Sequence, residues 1–75
     1  MTADYQVLSP EQRRHVDAAI ATARQSGRDG RFMVGGDEYY AYPHDHGVAW
    51  GIASQAAGGF NIARGVMPNE RGRMR

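Results

Sequence analysis

The chain contains no cysteine, which excludes disulfide cross-links and thiolate metal sites, the usual supports of very small domains. Lysine is absent as well. All nine basic residues are arginine, and eight acidic residues bring the net charge to +1. That balance argues against general attraction to a polyanion, because nucleic-acid binders usually carry a marked basic excess. Long apolar runs are missing too: nothing approaches the roughly 18 residues needed to cross a bilayer. The opening Met1-Thr2-Ala3-Asp4-Tyr5 lacks the basic and then apolar order of a signal peptide. A cytoplasmic protein with no membrane association is expected. Aliphatic bulk is the scarcest material, since Leu, Ile, Val and Phe supply only eleven of 75 residues. Such scarcity marks disordered chains when net charge is also high. Here the charge is low, and four Tyr, four Met and one Trp add apolar surface.

What is there reads as an α+β domain over residues 1–67, one N-terminal helix packed on a small three- to four-stranded antiparallel sheet. An arginine-rich tail follows over 68–75. The helix is expected from Pro10 to Ser26. Ser9 is a good N-cap, Pro10 suits the first helical position, Gln12 stands where a capping box needs it, and Gly27 supplies the stop. Val16, Ala19, Ile20 and Ala23 form one thin apolar stripe at helical spacing. Its alanines point to close approach to a flat partner such as a sheet. Tyr5 to Leu8 reads as a short strand or an extended lead-in.

A hairpin follows, with Arg31 to Val34 running into Glu38 to Pro43. A type II′ turn at Gly36-Asp37 is preferred because it sets Val34 opposite Tyr39 and Phe32 opposite Ala41, so that apolar residues pair. A turn at Gly35-Gly36 would oppose Val34 to Asp37 and Met33 to Glu38. Pro43 then ends the strand or marks an edge. Val48 to Ser54 alternates large and small side chains and favours a strand with Val48, Trp50 and Ile52 on one face. Helical spacing over 48–57 is the competitor, with Gly51 against it. Phe60 to Met67 reads as a last strand.

No constellation argues for catalysis. No serine has a nucleophile-elbow context, no cysteine exists, and the ten glycines fit no phosphate-loop pattern. No cofactor and no enzymatic activity are expected. His44 and His46 are candidate metal ligands, because residues i and i+2 on an extended segment share a face. A third ligand is unidentified, with Asp37, Glu38 and Asp45 the nearby carboxylates. A polar loop explains the same residues.

Binding is the stronger expectation. Tyr39, Tyr40 and Tyr42 on one strand divide between its faces, and a single helix covers only one face, so aromatic surface is left exposed, with Met33 beside it. Arg64, Arg71 and Arg73 could add bidentate contacts at the edges. The leading expectation is therefore a small non-enzymatic interaction protein, a regulator or inhibitor that binds another protein or protein complex, with a homodimer as one way to cover the same face. An anti-CRISPR-like inhibitor from a phage or other mobile element fits that class, with Asp29, Asp37, Glu38 and Asp45 as possible acidic contacts in a basic groove. The alternatives are nucleic-acid binding through the arginine tail and stacking tyrosines, and metal binding by the histidines.

Overall fold

Ser9 opens the main helix in the way its sequence demands. In the computed structural model, which describes residues 4–69, its hydroxyl accepts from the Gln12 amide while the Gln12 side chain accepts from the Ser9 amide, a complete capping box. The helix, α1, spans Pro10–Ser26 and stops at Gly27, whose φ of 72° is the left-handed conformation that a residue without Cβ adopts freely. Val16, Ala19, Ile20 and Ala23 are its buried residues, the stripe expected from spacing.

Four strands follow: β1 (Gly30–Val34), β2 (Asp37–His44), β3 (Gly47–Ser54) and β4 (Phe60–Pro68). They form one antiparallel sheet in the order β1-β2-β3-β4, and α1 packs across β1, β2 and β3 on one side. The architecture is α+β, one helix on a four-stranded antiparallel sheet. Residues 47–54 are strand throughout, and Val48, Trp50 and Ile52 lie in the core with Leu8, Tyr39, Ala41 and Ala63. β4 runs one residue past the expected boundary, to Pro68, and Asn69 donates its amide to the His46 carbonyl at 2.9 Å.

Two expectations are corrected. The first hairpin turns at Gly35-Gly36, not at Gly36-Asp37, so Val34 faces Asp37, Met33 faces Glu38 and Phe32 faces Tyr39. Both glycines have positive φ, 56° and 87°, which the two central positions of a type I′ turn require. The helix sets the register as well. Gly30 lies opposite Ala41, and a Cβ on Gly30 would meet the Ala19 carbonyl and sit 2.9 Å from Thr22 Cβ. Phe32 opposite Ala41 would put a phenyl ring where α1 passes closest. It stacks instead on Tyr39, with ring centroids 5.8 Å apart.

The second correction concerns the lead-in. Tyr5–Val7 is a turn of 3₁₀ helix, held from α1. Arg13 donates to the carbonyls of Tyr5 and Gln6 and lies over the Tyr5 ring, and the Tyr5 hydroxyl donates to Asp17. Arg13 thus serves the lead-in and leaves Asp17 to Tyr5. The segment closes the end of the core, where Tyr5 meets Trp50 edge to face at 5.9 Å. Pro43 keeps its place inside β2 because β1 has already ended: Gly30 pairs with Ala41, and no residue of β1 lies beside Tyr42 to His44. Among the described residues, no helix is long and apolar enough to cross a membrane.

Candidate functional site

Strand alternation divides the tyrosines of β2. Tyr39 pairs with Ile52 on the helix side and is only 4% exposed, which removes it from the expected binding surface. Burial, then the charges of Asp37 and Glu11, push its phenol above the ordinary tyrosine value. Tyr40 and Tyr42 point to the other face, which no described helix covers.

That face is built around missing side-chain volume. Its β3 positions are Gly47, Ala49, Gly51 and Ala53, and larger neighbours lie across them. The Tyr40 ring rests directly over Gly51, in the space a Cβ would need, and its hydroxyl donates to Asn61 Oδ1 on β4 at 2.7 Å. Tyr40 thus spans three strands and is held at both ends. Tyr42 lies nearly parallel to it, with centroids 6.5 Å apart and planes 7° from each other, and stays 43% exposed. The pair forms a ridge.

Two shallow grooves flank the ridge. The groove toward β1 holds about 400 Å³ and is lined by Asp29, Arg31, Glu38 and both tyrosines. Its charges are matched internally, with Arg31 3.2 Å from Glu38 and 3.7 Å from Asp29. Met33, opposite Glu38, adds exposed apolar surface at this edge. The groove toward β4 holds about 310 Å³ between Tyr40, Tyr42, His44, Ala49, Arg64 and Val66. No carboxylate lines it, and Arg64 makes no ion pair among the described residues.

The remaining sequence candidates are scattered. Asp29 and Glu38 meet at Arg31, whereas Asp37 starts β2 at the Gly35-Gly36 turn and Asp45 lies in the turn beyond its far end, so the four carboxylates share no surface. His44 and His46 do not lie on one extended segment. Asp45 between them has a left-handed φ of 46° in the turn to β3, and its carboxylate sits 3.9 Å from His44 Nε2. Among the described residues no group of three or more His, Cys, Asp or Glu could hold a metal ion. Arg71 and Arg73 lie outside the described residues.

Sequence reading missed Gly51, Asn61 and Val66. The available signal was the run of Gly or Ala at every second position from Gly47 to Ala53, which marks a flat strip that a neighbouring ring can cross. No family model, characterised protein or solved structure matches the chain, so the site rests on its own geometry.

Proposed function

We propose that this domain is a non-enzymatic protein-binding module whose contact surface is the open sheet face. The observation that carries the reading is the Tyr40–Tyr42 ridge, pinned across Gly51 to Asn61 on a face left bare by the helix. Tyrosine held in this way presents large apolar area with little conformational freedom left to lose, and Tyr, Met and Arg are enriched in protein interfaces.

Charge favours a protein over a nucleic acid. Arg31 is neutralised by Asp29 and Glu38, which leaves Arg64 and Arg28, the latter in a depression beside Tyr42 and Pro43, as the arginines near this ridge without an ion pair among the described residues. Two such guanidinium groups give little counterion release on a polyanion. A regulator or inhibitor, including the anti-defence kind, is a natural use of such a module.

The test is quantitative affinity capture with the whole chain from extracts with and without nuclease treatment, comparing the wild type with Tyr42→Ala and with Val7→Ala, an exposed apolar residue on the lead-in. A protein partner recovered at constant stoichiometry by wild type and Val7→Ala, and at least about tenfold weaker with Tyr42→Ala, supports the reading. Recovery of nucleic acid alone, with binding that collapses between about 50 and 200 mM salt, overturns it in favour of a phosphate-binding role. A partner indifferent to Tyr42 removes the face from the interface.

A further inference from the structure

The two edges of the sheet are managed differently. β1 is five residues long, and its open-face arginine is held by Asp29 and Glu38. β4 is nine residues long and carries the exposed side chains of Phe60, Ile62 and Val66. It has no proline before Pro68 and no acidic residue. Its one irregularity is a bulge opposite Ile52/Ala53, which leaves Ala63 to Pro68 in regular pairing with Gly47 to Ile52. Long, regular and partly apolar edges of this kind invite a further strand.

Ladder alternation identifies the groups on offer. The two-residue turn between His44 and Gly47 makes that pair the hydrogen-bonded one, and counting outward turns Val48, Trp50 and Ile52 toward β4. Their partners Met67, Gly65 and Ala63 point inward, so the amides and carbonyls of Arg64 and Val66 point out of the sheet. Among the described residues these groups make no other hydrogen bond. The side chains of the same two residues line the groove that has no carboxylate.

We infer that β4 is a strand-addition site that accepts an extended acidic segment of a partner protein, bonded along Arg64 and Val66 with a carboxylate set against the Arg64 guanidinium. The inference rests on the reading of this domain as a protein-binding module and names the element the partner contributes. Charge selects this occupant over a second copy. Two β4 strands paired through their regular part, Ala63 to Pro68, centre near Gly65, which sets both Arg64 side chains on one face a single residue pair either side of the centre, with no acid on either strand. An acidic strand replaces that repulsion with attraction, and alternate apolar side chains would cover Val66.

The probe is a capped nine-residue peptide that alternates valine and threonine, begins and ends on valine and has its central valine replaced by glutamate, titrated into the full ¹⁵N-labelled chain. Shifts and slowed exchange at the Arg64 and Val66 amides are expected. Replacing the glutamate with lysine should weaken binding about fivefold, and Arg64→Glu should reverse that preference. Val66→Pro removes an outward amide without breaking the ladder to β3 and should weaken binding about five- to tenfold. If that variant fails to fold, the charge reversal decides alone. Absence of β4 shifts at millimolar peptide, or equal affinity for both peptides, overturns the inference. Shifts confined to the Tyr40 and Tyr42 strand overturn strand addition while leaving the open-face reading in place. Concentration-dependent dimerisation with protection of the same amides assigns the edge to a second copy instead.

Discussion

An added methyl group acts at two different ranges on the two sides of this sheet. At Gly30 it would press on the Ala19 carbonyl and Thr22 Cβ of α1, and a helix backbone has nowhere to swing. Gly30→Ala should lower stability by about 1–3 kcal/mol in urea denaturation. At Gly51 the obstacle is the phenol of Tyr40, the far end of a rotatable side chain. Gly51→Ala should therefore cost about 1 kcal/mol or less, yet it should displace Tyr40 and break its bond to Asn61, visible as lost ring contacts at residue 51 by NMR. An unmoved ring would contradict the packing described. Tyrosine burial also sets the alkaline limit. The phenols of Tyr5 and Tyr39 are held above 10.0 by burial first, with the hydrogen bond to Asp17 adding at Tyr5 and the charges of Asp37 and Glu11 adding at Tyr39. The unfolded chain loses these protons first, so the contribution is complete below about pH 10 and disappears as pH rises through the raised values. Urea midpoints should hold level up to about pH 9 and fall above pH 10, and Tyr39→Phe should reduce the fall.

Elements differ in how far their own residues determine them. α1 was legible from end to end because its signals are local: Ser9, Pro10, Gln12 and Gly27 act within a few residues of themselves. Ser9→Ala removes the acceptor for the Gln12 amide and should cost about 1 kcal/mol in thermal melts followed by circular dichroism; no change would show that α1 is held by packing alone. The first hairpin was misread by two residues because its register answers to α1 above Gly30, a contact between distant parts of the chain. The 3₁₀ turn at Tyr5–Val7 was missed for the same reason, since Arg13 holds its carbonyls from the second turn of the helix. Within the candidate site, alternation separated Tyr39 from Tyr40 and Tyr42. It could not say which set the helix would cover. That choice depends on Gly30, Ala41 and the alanines of α1 fitting together, and the open edge of β4 follows from strand order, which no local pattern specifies.

The molecule as a whole places its scarce apolar volume unevenly. Among the described residues Trp50, Tyr39, Ile52 and Val16 are large buried side chains, and alanines fill much of the remaining core, while Phe60, Val66 and Tyr42 stand at the surface. A domain of 75 residues has a stability of about 4–11 kcal/mol at ordinary values per residue. Ile52 sits at the centre of β3, between Tyr39 and Ala63 and beneath α1, with no exposed surface. Ile52→Ala should remove about 2–5 kcal/mol and lower Tm by about 8 °C at the least. Phe60→Ala deletes a larger side chain that is 75% exposed, and its effect should stay within about 0.5 kcal/mol. Calorimetry on the pair measures the division directly: similar Tm losses would mean that Phe60 packs into the fold, and its place on a surface open to a partner would be lost. A large loss for Ile52→Ala beside a negligible one for Phe60→Ala means that the Phe60 ring contributes nothing measurable to folding, which leaves binding as the work available to it.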